Sequence, residues 1–238
     1  MKILALDSSA DVCSVAICED NKLICEITVN TGNTHSQTLL PAVEQALKLS
    51  ELCVDDIDAF ACSTGPGSFT GVRIGVATIK GLAYGKNKPC VSISTLEALA
   101  HNLKAYDGII CPVMNARRNQ VYNAIFKCNN CVIERLCDDR AIAISELDQE
   151  LESAKLPIYL CGDGYDITVK NSTLSKFGFV GERDRLQSAY SVAVCALEKV
   201  ERGDILTDAL ISPIYLRPSQ AERERLEKLK TTEKSGDN

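Results

Sequence analysis

The chain lacks any long apolar run. Over its 238 residues, Gly, Lys or Arg interrupts every hydrophobic stretch well before the ~20 residues that a membrane-spanning helix requires. The opening MKILALDSS has too short an apolar run for a signal peptide, because acidic Asp7 follows at once. We therefore expect a soluble, cytoplasmic protein that makes no membrane contact.

An excess of positive charge is also missing. Lys and Arg number 26 against 32 Asp and Glu, which gives a net charge of −6. A protein that binds nucleic acid directly needs clustered Lys and Arg to contact the phosphates. This composition therefore argues against direct nucleic-acid binding. The one dense charge run lies at residues 219–238, mixes both signs and is interpreted as a solvated tail.

Metal-binding spacings are absent as well. The two histidines, His35 and His101, lie far apart and form no His-x-x-x-His pair, since residue 39 is Leu. The twelve cysteines are scattered, several within apolar runs, and are expected to be reduced thiols. Cys128 and Cys131 form a CxxC, but no second pair follows at zinc-site spacing, and the two asparagines between them predict a hairpin turn. We assign no metal to this chain.

The glycine-rich stretch STGPGSFTGVRIG, residues 63–75, fails two catalytic patterns. Ser68 is not in the Gly-x-Ser-x-Gly context of a nucleophile elbow, because residue 66 is Pro. No glycine pair precedes a Lys and a hydroxyl residue, as a phosphate loop requires. A glycine turn that enters a helix still offers free N–H groups to an anion. The candidate anion-binding residues in this stretch are Gly65, Gly67, Ser68, Thr70 and Gly71.

The sequence does contain a repeated pattern of strands. Three extended runs open the chain, at residues 2–6, 12–18 and 23–29, and a similar series restarts near residue 109. The two series match at an offset of 108 residues, which pairs Asp7 with Asn115 and Glu26 with Glu134. We interpret this as an internal duplication of a three-stranded meander. The first copy is followed by helix 38–49, strand 57–62, helix 69–84, strand 90–93 and helix 95–104.

This order predicts the duplicated α/β fold of the actin, Hsp70 and sugar-kinase class, in which helices cover mixed sheets. We place subdomains at residues 1–104 and 105–218, with room for the last helices to pack back on the first, and a charged tail at 219–238. In this class nucleotide phosphate sits at the first strand turn, here Asp7-Ser8-Ser9. Residues 7–12 contain no glycine, which would let the backbone approach a phosphate closely. We therefore favour a turn that is closed by local hydrogen bonds, with nucleotide binding as the alternative.

The helix predicted after the glycine loop carries apolar or small residues around almost its whole circumference. Between Val72 and Ala83 only Arg73, Thr78 and Lys80 are polar. A helix that covers a sheet usually shows one apolar stripe. We therefore expect this helix to be buried on more than one side, either within its own chain or against a partner.

Five segments together resemble the TsaB (formerly YeaZ) family: LALDSSADVCSVAI, THSQTLLPAVEQAL, STGPGSFTGVRIG, NARRNQVY and SPIYLRP, the last ending at Pro218. The resemblance implies a glycoprotease-like paralogue of TsaD that is mainly non-catalytic and pairs with the TsaD enzyme and the small ATPase TsaE. That assembly transfers a threonylcarbamoyl group to adenosine-37 of tRNAs that read A-starting codons. ATP and a metal would then belong to the partner subunits, and this chain would meet tRNA only through the complex.

The resemblance also implies where partners bind. In the family the first two helices form a homodimer surface for which TsaD competes, so helices 38–49 and 69–84 are the expected interface. Two alternatives stay open: a nucleotide-dependent enzyme of this fold class that acts alone and, from the family's older name, a peptidase. The candidate interface residues are Leu39, Val43, Val72, Arg73, Gly75, Val76, Ile79, Lys80 and Ala83.

Overall fold

Two β-sheets organise the chain, and a computed structural model describes residues 1–174 and 176–217. The predicted tail at 219–238 and Pro218 lie outside the described residues. The first sheet has strand order β3-β2-β1-β4-β5; β1, β2 and β3 pair antiparallel, and β4 pairs parallel with both β1 and β5. Its strands are β1 (Lys2–Asp7), β2 (Cys13–Glu19), β3 (Lys22–Val29), β4 (Ala59–Gly65) and β5 (Cys90–Ser94).

The second sheet repeats the opening of the first. Its central strand β6 pairs antiparallel with both β7 and β8 and parallel with β11, while β10 and β9 form its edges. Asp7 ends β1 and Asn115 ends β6, as the offset of 108 residues predicts, so the duplicated fold is confirmed. The strands are β6 (Gly108–Asn115), β7 (Gln120–Asn123), β8 (Phe126–Asn129), β9 (Val132–Arg135), β10 (Arg140–Ala143) and β11 (Ile158–Cys161).

Seven helices in the described residues cover these sheets. Within the first half, α1 and α2 pack on the face of the first sheet that carries Leu4 and Leu6. The other face, which carries Ile3 and Ala5, is covered by α7. The helices are α1 (His35–Leu49), α2 (Phe69–Ala83), α3 (Thr95–Asn102), α4 (Ile144–Glu152), α5 (Tyr165–Asn171), α6 (Glu182–Arg185) and α7 (Ala189–Glu201).

The two halves exchange helices. Although α3 follows the first sheet in the chain, its residues Leu96 and Leu99 pack with Ile110 and Met114 of the second sheet's core. In the opposite direction, α7 follows the second sheet but packs on the first. The boundary at residue 104 therefore stays a proposal, because covalent order and packing divide the chain differently.

Several predicted boundaries need correction. The first helix begins at His35 rather than residue 38, so Pro41 lies in its second turn instead of its first. Proline cannot donate the usual helical hydrogen bond, and it is accommodated here on the exposed side of the helix, where water can solvate the freed carbonyl. Residues 120–126 alternate between polar and apolar side chains, which predicts one strand, but the segment belongs to two short strands. Asn130 and Cys131 adopt positive φ angles between β8 and β9, which confirms the predicted hairpin.

None of the helices in the described part of the chain is both long enough and apolar enough to span a bilayer.

Candidate functional site

The turn between β1 and β2 is closed by a buried carboxylate. Asp7 Oδ1 accepts hydrogen bonds from Ser9 N (2.9 Å) and Ser9 Oγ (2.6 Å), and its Oδ2 accepts one from Ser63 Oγ (2.6 Å). Burial raises the pKa of Asp7, while the hydrogen bonds from Ser63 and Ser9 oppose that rise. Both carboxylate oxygens are thus engaged within the chain, and neither is presented to a ligand.

The glycine loop holds this turn at very close range. A Cβ at Gly71 would overlap the carbonyl oxygen of Ser8, and one at Gly67 would overlap the carbonyl oxygen of Ser9. Only glycine permits such an approach of two backbones. These glycines therefore allow close contact between the β1–β2 turn and the start of α2.

Hydrogen bonds complete the same junction. Ser68 N donates to Ser9 O at 2.7 Å, and Ser8 Oγ donates to Gly71 O at 2.9 Å. The Ser68 hydroxyl caps α2 by accepting from Gly71 N at 3.3 Å. Of the eight predicted anion-binding residues, Thr70 is exposed, and the others are engaged with the chain's own backbone or side chains. Gly65 lies against Ile214.

His35 stabilises the turn from the other side. Its Nε2 lies 2.6 Å from Ala10 O, so this nitrogen carries the proton and donates to the carbonyl. The ring also lies against Gly71. His35 thus makes a local hydrogen bond, and it belongs to no group of three or more His, Cys, Asp or Glu that could hold a metal ion in the described residues.

The predicted interface residues lie mostly inside the chain. Their burial follows from the apolar face of the first sheet, which both helices must cover. The partner contact assigned to these side chains stays a prediction, and substitutions there would perturb folding as well. The buried members are Leu39, Val43, Val72, Gly75, Val76, Ile79 and Ala83.

A different set of side chains on the same helices stays exposed. They form an apolar groove of about 470 Å³ between α1 and α2, which contains no charged group. Leu40 is 57% exposed on one wall, and Tyr84 is 80% exposed just past the end of α2. We call this the α1–α2 groove. Its lining residues are Leu40, Ile74, Ala77, Thr78, Gly81 and Leu82. Their sequence signal is the second apolar side of α2, and they lie beside the predicted interface residues rather than among them.

A C-terminal strap, residues 205–217, borders α2. Leu206 exchanges backbone hydrogen bonds of 2.8 Å with Cys90 in β5, and Ile214 N donates to Thr64 O at 2.8 Å. Between them, Ile211 is fully buried in the core under α2. Lys80 Nζ donates to Ala209 O at 2.9 Å. This predicted interface cation therefore holds the strap in the isolated chain.

The second predicted cation, Arg73, belongs to an aromatic cluster. Tyr215 of the strap stacks on Phe69 with ring centroids 4.5 Å apart, and Arg73 Nε donates to the Tyr215 hydroxyl at 2.6 Å. The strap then reaches the second half, where Arg217 donates to Gln120 Oε1 at 2.6 Å. The strap therefore joins the start of α2 to β7.

The cysteines and histidines form no metal centre in the described ranges. None of the twelve cysteines forms a disulfide. Within residues 1–174 and 176–217, no group of three or more His, Cys, Asp or Glu side chains could hold a metal ion. His101 is not the cationic helix-end residue that its position suggests, because burial lowers its pKa to about 4.

Comparison with known proteins gives one consistent family. The family model described as "TsaD: tRNA N6-adenosine threonylcarbamoyltransferase" matches residues 27–207. The tRNA threonylcarbamoyladenosine biosynthesis protein TsaB of Bacillus subtilis is 30% identical over 232 residues, which cover 97% of this chain and 100% of that relative. The protein of the same name from Haemophilus influenzae is 29% identical, over 91% of this chain and 94% of its own. The structure of YeaZ from Pseudomonas aeruginosa has a TM-score of 0.80 at 24% identity, covers 90% of this chain and 99% of its own, and shares the fold.

Proposed function

Because the chain belongs to the TsaB family, we propose that it acts in the formation of threonylcarbamoyladenosine in tRNA as a non-catalytic subunit that pairs with a TsaD-like enzyme. The observation that carries the proposal is the uncharged α1–α2 groove, left open on two helices that each bury one side against the first sheet. Exposed apolar surface of this kind, rimmed by polar residues, is typical of protein-protein contacts.

The wider assembly follows from the same proposal. A TsaE-like ATPase joins the pair, ATP and a catalytic metal belong to these partners, and tRNA is contacted only through the complex. In the absence of its partner, the chain forms a homodimer through the same groove. The place of action is the cytoplasm. The net charge of −6 supports the indirect contact with tRNA, because a direct binder needs an excess of Lys and Arg.

An enzyme that acts alone on a nucleotide is disfavoured by the geometry of Asp7. Both oxygens of that carboxylate accept hydrogen bonds from the chain itself, and backbone of the same chain fills the space beside Gly67 and Gly71. ATP hydrolysis by the purified chain that disappears in Asp7→Ala would favour this alternative over the scaffold. A peptidase role has no supporting metal set in the described residues, and Ser68 is not in a nucleophile-elbow context.

The interface is tested with exposed residues rather than buried ones. Leu40→Glu and Ala77→Glu place a charge in the α1–α2 groove, and both should prevent heterodimer formation with the TsaD-like enzyme in size-exclusion chromatography. Val132→Glu is the matched control, because Val132 is 68% exposed on β9 in the other half. All three variants should keep the parent's circular dichroism spectrum. A full heterodimer with both groove variants would rule out this surface.

The biological role is tested separately. Depletion of the protein in its source cell, followed by mass spectrometry of tRNA nucleosides, should show loss of threonylcarbamoyladenosine. Re-expression of the parent chain should restore the nucleoside, and the Ala77→Glu variant should not. An unchanged nucleoside level after depletion would refute the proposed function.

A further inference from the structure

A second cavity lies on the opposite face of the first sheet from the α1–α2 groove. It has a volume of about 620 Å³, within the range of roughly 300–1,000 Å³ typical of small-molecule sites. Its walls come from β3, the end of α3, α6 and the start of α7. We call it the α3–α7 pocket and define it by Glu26, His101, Arg183, Asp184, Gln187 and Tyr190.

Gln187 gives this pocket a buried polar group without a partner. The residue is only 2% exposed, and its Nε2 has no hydrogen-bond partner among the described residues. A buried amide left unpaired costs about 1–3 kcal/mol, so folds normally satisfy such groups. His101 Nδ1 is a second buried nitrogen without a partner at the same cavity. Both residues line the cavity.

The surrounding frame is rigid. Glu26 Oε1 accepts hydrogen bonds from Ser188 Oγ (2.7 Å), Tyr190 N (3.2 Å) and Ser14 Oγ (3.3 Å), while no partner for Oε2 occurs among the described residues. Asn102 donates to the carbonyl oxygens of Leu186 (2.6 Å) and Asp184 (3.2 Å). The residues on both sides of Gln187 are thus fixed, and the free carboxylate oxygen of Glu26 is held in place before any ligand arrives.

The charge of the pocket indicates the kind of ligand. Glu26 supplies a carboxylate and Arg183 a guanidinium, while the Asp184 carboxylate accepts a hydrogen bond from the Tyr106 hydroxyl at 3.0 Å. Burial lowers the pKa of His101 to about 4, so its imidazole is neutral near pH 7. The free acceptor described above, Glu26 Oε2, favours a ligand that carries positive charge.

We propose that the α3–α7 pocket binds a small organic molecule with a primary ammonium group, of the free amino-acid or polyamine class. The ammonium donates to Glu26 Oε2, and a polar group of the ligand pairs with the Gln187 amide. Arg183 distinguishes the two sources of this chemistry. It attracts the carboxylate of an amino acid and repels the additional positive charges of a polyamine.

Binding is measured on the ¹⁵N-labelled full chain by the NMR signals of the Gln187 and Asn102 side-chain amides. The probes are a mixture of the twenty common amino acids, spermidine, and inorganic phosphate as the anionic control. We expect a saturable shift with an amine probe and a Kd of about 1 mM or tighter, which corresponds to roughly −4 kcal/mol. Arg183→Gln should weaken binding of an amino acid and strengthen binding of spermidine.

Two variants and a matched control make the test specific. Glu26→Gln and Gln187→Met should each weaken binding by about tenfold or more, whereas Glu134→Gln should not. Glu134 is the residue that the internal duplication pairs with Glu26, and it lies exposed on β9. Equal binding by all of these proteins, the lack of a saturable shift with either amine probe, or saturable binding of phosphate alone would overturn the proposal.

Thermal unfolding supplies a second readout. Because Gln187→Met removes an unpaired amide and keeps the side-chain volume, the ligand-free variant should melt at the parent's temperature or above it. Spermidine or the amino-acid mixture should raise the melting temperature of the parent but not of this variant. A variant that melts below the parent would mean that the fold itself satisfies the amide, which contradicts the proposal.

Discussion

The contact between the glycine loop and the β1–β2 turn is tested by two alanine substitutions in one helix. At Gly71 a Cβ would overlap the carbonyl oxygen of Ser8, whereas at Gly81 it would meet no atom within 4 Å. Both glycines lie in α2, so both substitutions gain helix propensity, by up to about 1 kcal/mol. Gly81→Ala should therefore stabilise the chain, and Gly71→Ala should not.

The difference in unfolding free energy between the two variants measures the cost of the overlap between a Cβ at residue 71 and the Ser8 carbonyl oxygen. The propensity gain largely cancels in the comparison, which leaves the cost of forcing extra volume into a packed site, about 1–3 kcal/mol. For a chain of this size, 1 kcal/mol corresponds to about 2–4 °C in Tm. The opposing atom at Gly71 is backbone held by hydrogen bonds, so it has little freedom to move away, and the upper half of that range is expected.

Differential scanning calorimetry of the parent and both variants measures the effect. Gly71→Ala should melt several degrees below Gly81→Ala, with the parent between them. If Gly71→Ala were as stable as Gly81→Ala, the β1–β2 turn would not fill the space at the start of α2. The structural explanation of the glycine loop would then be wrong, and a ligand at this position would become the better interpretation.

Two further predictions concern His101 and the C-terminal strap. Because burial lowers the pKa of His101 to about 4, its contribution to stability is full above pH ~6.5 and is lost as the pH falls from there towards 4, by up to about 3 kcal/mol. Urea unfolding across this pH range should show a smaller loss for His101→Gln, and parallel curves would contradict the prediction. For the strap, Tyr215→Ala removes the stack on Phe69, worth about 0.5–1.5 kcal/mol, and should speed hydrogen exchange at the Ile214 amide. Leu210→Ala, at a side chain 65% exposed on the same strap, should leave that exchange rate unchanged.

The meander and the order of helices could be predicted from the sequence because they depend on local patterns. Alternation of apolar residues, turn asparagines and the 108-residue offset are all visible without knowledge of distant contacts. The apolar spacing at residues 189–201 predicts a helix for the same reason, and α7 has these bounds. The early start of α1 was missed because Pro41 suggested a first turn, whereas the residues before it are helical.

The side of α2 that faces outward could not be predicted from its composition. Both sides of this helix are apolar, so periodicity does not distinguish the side that packs on the sheet, to which Val76 and Ile79 belong. The partners of Arg73 and Lys80 were also hidden, because the strap that they hold lies 142 and 129 residues away in the chain. Such contacts depend on the assembled fold rather than on any local motif.

The geometry around α2 favours a scaffold over an enzyme for a physical reason. At its N-terminus the helix is locked against the β1–β2 turn, and the groups that hold phosphate elsewhere in this fold class are engaged there with one another. Along one side of the helix, Arg73 and Lys80 donate hydrogen bonds to the strap. Neither of these two cations lines the groove, so the groove is uncharged. A rigid helix with an uncharged, exposed side loses little conformational entropy when a partner covers it, and shape decides the contact more than charge does. The features that close the candidate phosphate site therefore also fix the surface on which a partner would bind.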